Sequence, residues 1–339
     1  MKEALLYEKL EGDSVRCFLC AHHCYIKEGN FGICGVRQNR EGKLYSLVYA
    51  KPCALHVDPI EKKPLYHFFP ATVAFSVATF GCNFKCGFCQ NWQISQEYSK
   101  EDIDNQEEIL PSKIVELALK YKCKSISYTY TEPTVFFEYA YDIAKLAKQK
   151  GLYNNFVTNG YMSKETLDLI SPYLDAANVD LKFFKESSYK KNCSAHLEPV
   201  KESIIYMRKL GIWVEVTTLI IPKENDSPEE LTEIAKFLAS VDKDIVWHVS
   251  KFHPDYKFLN YSTTSESTLK MAQELGYKAG LRYVYVGNVW GWGNDTLCYN
   301  CKRTLIKREY FSVLEYNLKG NRCPFCNTII PGIFSDVKT

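Results

Sequence analysis

Seven β-rich runs alternate with helix-length amphipathic runs between Val73 and Asn288, and this alternation constrains the fold more than any other feature of the chain. Strand–helix alternation over about 215 residues predicts parallel strands joined by helical crossovers. The predicted strands are Val73–Thr79, Ser125–Tyr130, Asn154–Thr158, Asn178–Lys182, Trp213–Ile220, Val246–Phe252 and Tyr283–Val286. The helical patterns between them include Pro111–Tyr121, Val135–Lys150, Ser163–Pro172 and Ser227–Ala239.

This pattern predicts an α/β fold with a parallel (β/α) barrel, either partial or full. A doubly wound open sheet is the alternative, but no strand is followed by the G-x-G-x-x-G pattern that such sheets use to bind dinucleotides. Three units are predicted: a Cys-rich extension over residues 1–70, the barrel over 71–293, and a small four-cysteine ribbon over 294–339. Metal ions commonly stabilise units as small as the two flanking ones.

Charge and hydropathy exclude several kinds of partner. The 42 basic and 40 acidic side chains nearly balance, which gives no electrostatic case for nucleic-acid or membrane binding. No stretch reaches the roughly 18 apolar residues of a membrane span, and the first residues lack the apolar core of a signal peptide. We therefore expect a cytoplasmic location, where thiols stay reduced. The oligomeric state is left open.

The cysteines point to metal binding. All but three of the 14 cysteines fall into three groups, and only Cys53, Cys123 and Cys193 are solitary. The central group, Cys82, Cys86 and Cys89, has the spacing C-x3-C-x2-C and follows the first predicted strand. Three thiolates are one ligand short of the four that a [4Fe–4S] cluster normally takes, so one iron would stay open for chemistry. A partial zinc site or three buried thiols is the alternative.

Polar residues recur where the predicted strands end. Because the carboxyl ends of parallel barrel strands share one face, these side chains are expected to converge on one pocket. Each also has a structural interpretation, as a helix cap, a turn or a simple ion pair. The candidates are Glu132, Thr158, Asn159, Asp180, Lys182, Thr217, His253, Tyr285, Gly287 and Asn288.

The cysteine loop, with the aromatic Phe88 before its last cysteine, resembles that of the radical S-adenosylmethionine (SAM) superfamily. The strand-end motifs are similar to those of glycyl-radical activating enzymes such as pyruvate formate-lyase activating enzyme. The closer likeness is to the radical SAM member of the AmmeMemoRadiSam group, and it runs from the segment Cys17–Arg37 through Trp247–Ser250 to the Pro331-Gly332 tail.

The resemblance implies an oxidoreductase-type enzyme whose [4Fe–4S] cluster, held by the central cysteines, cleaves SAM to methionine and a 5′-deoxyadenosyl radical that abstracts hydrogen. It places Glu132 near the SAM amino group, and Thr158 and Asn159 near the ribose. Asp180 and Lys182 would lie near the methionine end, and His253 close to SAM. Tyr285, Gly287 and Asn288 would lie near the adenine. A flavodoxin or ferredoxin is the implied electron donor, and the substrate is an unidentified protein or small molecule.

Three departures from the activating enzymes weaken the alternative that the chain activates a glycyl-radical enzyme. Tyr130 and Thr131 replace two glycines, so we expect the backbone there to avoid glycine-only angles. Gln90 stands in place of a histidine, and Val157 in place of an aspartate.

The outer cysteine groups differ in how far they specify a metal. Two C-x2-C pairs at Cys298, Cys301, Cys323 and Cys326 predict a closed four-thiolate site, with zinc favoured over rubredoxin-type iron. The set Cys17, Cys20, Cys24 and Cys34 predicts zinc first and an auxiliary iron–sulfur cluster second. A zinc-ribbon binding protein and an electron carrier without substrate chemistry are the alternatives from other functional classes.

Overall fold

A computed structural model describes residues 1–334 of the protein. The N-terminal part forms short antiparallel strands in two three-stranded sheets, with the orders β1-β6-β5 and β2-β3-β4. These strands are β1 (Lys2–Glu3), β2 (Tyr7–Lys9), β3 (Val15–Cys17), β4 (Tyr25–Ile26), β5 (Arg37–Arg40) and β6 (Lys43–Ser46).

The main sheet within residues 1–334 has eight strands that follow one another in chain order from one edge to the other. Strands β8 to β14 are parallel, and β7 pairs antiparallel with β8 at the edge. The strands are β7 (Ala54–Pro59), β8 (Val73–Ala78), β9 (Ser125–Tyr128), β10 (Tyr153–Thr158), β11 (Ala176–Asp180), β12 (Trp213–Ile220), β13 (Val246–Lys251) and β14 (Val284–Gly287).

Helices connect the parallel strands, and four of them begin at a serine whose side chain accepts a backbone N–H of the first turn: Ser99, Ser163, Ser227 and Ser265. A 3-10 turn covers Ile60–Lys62. The helices are α1 (Trp92–Ser95), α2 (Lys100–Asp104), α3 (Pro111–Lys120), α4 (Phe137–Gln149), α5 (Lys164–Ile170), α6 (Glu186–Cys193), α7 (Leu197–Lys209), α8 (Pro228–Val241) and α9 (Glu266–Ala279).

The strand order confirms the predicted α/β partial barrel. The two edge strands, β7 and β14, do not pair with each other in the described chain, so the sheet stays open and the full barrel is wrong. The doubly wound alternative is also wrong, because such a sheet reverses its strand order midway and this one does not. All seven predicted strands are present. Strand β7 and helices α1, α2, α6, α7 and α9 are additional to the helices and strands named from the sequence for this sheet.

The C-terminal ribbon is a three-stranded antiparallel sheet of β15 (Thr296–Leu297), β16 (Thr304–Glu309) and β17 (Ser312–Tyr316). It packs on the amino-terminal ends of the barrel strands through a separate apolar cluster, which joins Leu305 and Ile330 to Phe68 and Trp213. The N-terminal strands instead share the main core with the barrel, since Val15, Ile26 and other residues of this segment belong to the same cluster. The boundaries at residues 70 and 293 stay predictions.

Candidate active site

The cysteine loop leaves β8 at Gly81, whose φ of +98° needs glycine, and then crosses the carboxyl end of the sheet. Backbone hydrogen bonds fix it to the last residues of α6, from Lys85 N to the Cys193 carbonyl (2.9 Å) and from Gly87 N to the Asn192 carbonyl (3.1 Å). These bonds satisfy carbonyls that a helix end leaves free. The loop is therefore held on the rim where the parallel strands end.

The sulfurs of this loop receive polar contacts. The Phe84 N–H donates to Cys82 Sγ (3.4 Å), and Ser95 Oγ lies 3.2 Å from Cys89 Sγ. Burial, with the nearby Glu132 charge, raises the pKa of the Cys82 thiol well above its usual value. Thiols with such raised pKa values stay protonated unless a metal binds them as thiolates. Three thiols with these donors fit an iron–sulfur cluster.

Cys86 is the most enclosed of the three. A hydrogen bond to Cys193 and burial raise its pKa well above the usual value, while the positive charge of Lys182 opposes that rise. Cys193 is fully buried at the end of α6, and sequence reasoning assigned it no role. No spacing signal links it to the loop, because only the fold brings α6 beneath Cys86.

Glu132 joins the ends of β9 and β10. Its carboxylate accepts hydrogen bonds from the Thr158 hydroxyl (2.8 Å), the Asn159 N–H (2.8 Å) and both the N–H and hydroxyl of Thr134 (3.0 and 2.5 Å). Burial raises the pKa of Glu132 despite these donors. Asn159 in turn donates to Asn83 Oδ1 (2.7 Å) and lies 3.9 Å from Cys82 Sγ, which brings this group to the cysteine loop.

Asp180 and Lys182 at the end of β11 form an ion pair of 2.7 Å. The Lys182 ammonium also lies 5.8 Å from the centre of the Phe88 ring. Burial lowers the pKa of Lys182, but the charges of Asp180, Cys86 and Cys193 outweigh burial and raise this pKa well above its usual value. A lysine held charged beside buried cysteines stabilises their thiolate form.

The last strands complete the rim. His253, after β13, has its Nε2 3.0 Å from the amide nitrogen of Gln90, the residue directly after Cys89. Asn288, after β14, donates to the Lys251 carbonyl (3.1 Å). A Cβ on Gly287 would meet Ser250 Oγ at 2.5 Å, so glycine permits this close strand packing.

A family model described as the radical SAM superfamily matches residues 76–238. Uncharacterized protein MJ0808 of Methanocaldococcus jannaschii is 46% identical over 96% of this chain and 98% of its own length. The putative glycyl-radical enzyme activating enzyme MJ1632 of the same organism is 30% identical over 63% of this chain and 78% of its own length. The chain belongs to the radical SAM superfamily. It is therefore an enzyme, and the family implies SAM and an iron–sulfur cluster.

Solved structures of the superfamily share the fold. A radical SAM methyltransferase from Sphaerobacter thermophilus superposes with a TM-score of 0.52 at 14% identity, over 66% of this chain and 68% of that one. The resemblance drawn from the cysteine loop is thus confirmed at the level of the superfamily. Within residues 1–334, no helix combines the length and apolar character needed to cross a membrane.

One predicted residue of this radical SAM enzyme, Tyr285, lies below the rim. Its side chain is buried, with the hydroxyl 2.7 Å from His67 Nε2. It belongs to a buried polar layer around Glu215, which accepts hydrogen bonds from the backbone of the segment that closes the base of the barrel. Thr217 lies opposite Asp180 in the sheet and donates to Asn178 Oδ1 (2.9 Å).

Tyr130 differs from the expectation drawn from the missing glycines. Its φ is +64°, the left-handed region that glycine favours, so the prediction that the backbone avoids such angles is wrong. The side chain holds this conformation: the hydroxyl bonds to Asp58, and the Lys63 ammonium lies 4.3 Å from the ring centre. Burial lowers the pKa of Lys63 to about 8 even though it pairs with Asp58 at 2.7 Å.

The two outer cysteine groups are built differently. In the C-terminal ribbon, the Sγ atoms of Cys298 and Cys326 are 3.6 Å apart, and those of Cys301 and Cys323 are 3.7 Å apart. Tetrahedral zinc with Zn–S bonds near 2.3 Å places its sulfurs roughly 3.8 Å apart, so this group can hold a single ion. The N-terminal cysteines instead line a cavity, together with His22 and Asn83.

Proposed function

We propose that this enzyme cleaves SAM reductively to methionine and a 5′-deoxyadenosyl radical, which abstracts hydrogen from a substrate. The observation that carries the proposal is the convergence of the cysteine loop and the strand-end groups on one rim. Gln90 contacts His253, Asn159 contacts Cys82, and Lys182 lies beside Cys86. These contacts come from three separate strand ends, which supports a single site.

Cys82, Cys86 and Cys89 would hold a [4Fe–4S] cluster as thiolates. When bound, the cluster supplies the electron that breaks a carbon–sulfur bond of SAM. The protein's part is to hold the thiolates and to keep water away. Phe88 packs edge-on against Phe183 and Phe258, at ring distances of 5.8 and 5.6 Å, and so closes the inner side of the loop.

The remaining rim residues would orient SAM. Glu132 fixes the loop after β9, while Thr158 and Asn159 present the end of β10 to the ribose. The Asp180–Lys182 pair would face the methionine end. His253, Gly287 and Asn288 would border the nucleoside. Thr217, opposite Asp180 in the sheet, would lie near the methionine end. We leave Tyr285 out of this pocket, because its hydroxyl bonds to His67 and Thr296 at the base of the barrel.

We also propose zinc for the four cysteines of the C-terminal ribbon, which all lie within 4.8 Å of one another. A site closed by four thiolates leaves no position for substrate, so its role is structural. The donor of the cleaving electron is a flavodoxin or ferredoxin in this proposal.

Activation of a glycyl-radical protein is the second candidate, since a relative of 30% identity bears that description. In that case the hydrogen would come from a protein backbone. The substitutions Gln90 and Val157 do not favour it, because Gln90 replaces a titratable histidine and Val157 removes the carboxylate that activating enzymes carry there. The substrate class thus stays a choice between a protein and a small molecule.

Anaerobic iron–sulfur reconstitution, followed by dithionite and SAM, tests the proposal. The wild-type protein is expected to form 5′-deoxyadenosine, measured by chromatography. Cys86→Ala should lose the cluster absorbance and fall to the background without enzyme, because two thiolates hold a cube poorly.

Cys123→Ala is the matched control. This solitary cysteine is buried as Cys86 is, but it lies at the end of α3, away from the loop. It should keep both the cluster and the product. Absence of 5′-deoxyadenosine from wild-type protein with an intact cluster would refute SAM cleavage.

A further inference from the structure

The N-terminal cysteines Cys17, Cys20, Cys24 and Cys34 surround one cavity at the edge of the barrel. Two tight turns bring them together. One closes with a hydrogen bond from His23 N to the Cys20 carbonyl (3.1 Å), and the other with a bond from Gly35 N to the Gly32 carbonyl (2.9 Å). The thiols of four separate positions therefore face a common space.

The thiols around this cavity are spaced too widely to bind a single zinc ion, whose four sulfur ligands lie roughly 3.8 Å apart. In residues 1–334, the C-terminal ribbon holds the only group of three or more Cys, His, Asp or Glu side chains whose ligand atoms all lie within 4.8 Å of one another. The N-terminal thiols are thus more widely spaced, as a cube of iron and sulfide between them requires.

A buried cation lines the same cavity. Arg37 is 2% exposed and pairs with Glu138 through one nitrogen, while its Nε and Nη1 atoms have no hydrogen-bond partner among the described residues. Unpartnered buried N–H groups of a guanidinium destabilise a fold unless an acceptor is present. An anionic group rich in sulfur acceptors meets this need.

The cavity adjoins the cysteine loop of the proposed SAM site. Asn83, which follows Cys82, lines the cavity, and its carbonyl lies 2.8 Å from His22 Nε2. A Cβ on Gly81 would stand 3.1 Å from the Cys34 carbonyl oxygen, so the two cysteine segments touch. Ile33 lines the outer side and is 47% exposed, which gives the cavity access to the surface.

We propose that Cys17, Cys20, Cys24 and Cys34 bind an auxiliary [4Fe–4S] cluster that relays one electron from a protein donor to the cluster at the rim. A reduced flavodoxin or ferredoxin would lose one electron, and the auxiliary cluster would gain it, passing from its 2+ to its 1+ state. The same electron then reduces the rim cluster from 2+ to 1+, with no bond or proton changed. The relay rests on the proposed function, but the cluster site does not.

Metal analysis of the reconstituted full-length protein tests the site. Wild-type protein should contain about eight irons and eight sulfides per chain, since each cube holds four of each, and about one zinc. The triple variant Cys82→Ala/Cys86→Ala/Cys89→Ala should keep about four irons and show the electron paramagnetic resonance signal of a reduced [4Fe–4S] cluster. Two zincs per chain, with no iron in the triple variant, would overturn the site.

The double variant Cys20→Ala/Cys24→Ala tests the relay. It should keep the rim cluster, and with dithionite, a small reductant, it should form 5′-deoxyadenosine at the wild-type rate. With reduced flavodoxin, its rate should fall at least tenfold below that of the wild type. A wild-type rate with both reductants would overturn the relay. Should wild-type protein fail to cleave SAM, the iron content of the triple variant still decides the site.

Cys123→Ala serves as the control for both measurements. Circular dichroism of each variant shows whether the barrel has folded. If the double variant does not fold, Arg37→Lys gives an independent measurement. Replacing the guanidinium by an ammonium group should shift the resonance of the auxiliary cluster in the triple-variant background. An unchanged spectrum would contradict the position of the cluster beside Arg37.

Discussion

At the residue scale, most rim side chains act through contacts within the protein. Glu132 is an example: four hydrogen bonds from Thr134, Thr158 and Asn159 tie its carboxylate to the ends of β9 and β10. Glu132 therefore positions the backbone around the cysteine loop, whether or not it also contacts SAM. Buried polar groups fully supplied with partners in this way rigidify a site.

Cys193 is the residue whose role most needs a test, because it lies against Cys86 and could compete as a cluster ligand. We expect Cys193→Ala to keep its iron and its 5′-deoxyadenosine formation, and to lose only about 1 kcal/mol of stability through the small cavity. Addition of SAM should still change the resonance of the reduced rim cluster. Cys193 would be a fourth cluster ligand if the wild-type spectrum did not change on addition of SAM and the variant lost its iron.

At the element scale, the C-terminal ribbon contributes part of the base of the barrel. Arg308 on β16 donates to the Tyr66 carbonyl (2.9 Å), and its guanidinium lies 4.4 Å from the Tyr66 ring centre. Leu305 and Ile306 on the same strand are fully buried. A strand that buries so much apolar surface couples the metal site to the barrel.

Removing one ligand of the ribbon should therefore destabilise the whole fold. Cys301→Ala is expected to lose the zinc and at least about 4 kcal/mol of unfolding free energy, as losses of structural metal do. Zinc analysis and thermal unfolding measure both effects, with Cys53→Ala as the control for a solitary thiol. Zinc retained in Cys301→Ala, or iron lost from the rim cluster in parallel, would show that the cysteines are grouped differently.

At the scale of the whole molecule, His67 links three parts of the chain. Its Nδ1 donates to the Pro331 carbonyl (2.7 Å), and its Nε2 accepts from the Tyr285 hydroxyl (2.7 Å). Burial lowers the pKa of His67 to about 4, so the ring stays neutral in the folded protein. The same layer holds Glu215, whose pKa is also lowered, despite burial, by the contact with His248.

Acid should weaken the fold through His67. The unfolded histidine takes up a proton near its usual pKa of about 6.5, whereas the folded one does so only near pH 4, so stability falls as the pH drops between these values. The full effect is about 3 kcal/mol. Denaturant unfolding at several pH values measures it, with His67→Gln as comparison. The variant should lose most of the slope between pH 6.5 and 4.5. A smaller part should remain, because burial also lowers the pKa of His22. An unchanged slope would contradict this account, because Glu215 acts only at lower pH.

The sequence by itself determined the strands, the α/β class and the cysteine groups, because strand periodicity, capping serines and thiol spacing are local properties. It did not locate β7, since an antiparallel edge strand outside the repeating pattern gives no comparable signal. It also placed Tyr285 with the rim residues, because a strand's sequence does not show how deep a side chain lies.

The tertiary structure alone decided what each cysteine group contacts elsewhere in the chain. Cys193 reaches Cys86 only because α6 ends beneath the loop, and the N-terminal thiols reach Asn83 only because that segment packs into the barrel core. It also separated the compact ribbon site from the wider N-terminal cavity. Distances between thiols far apart in the chain follow from packing, which residue spacing does not encode.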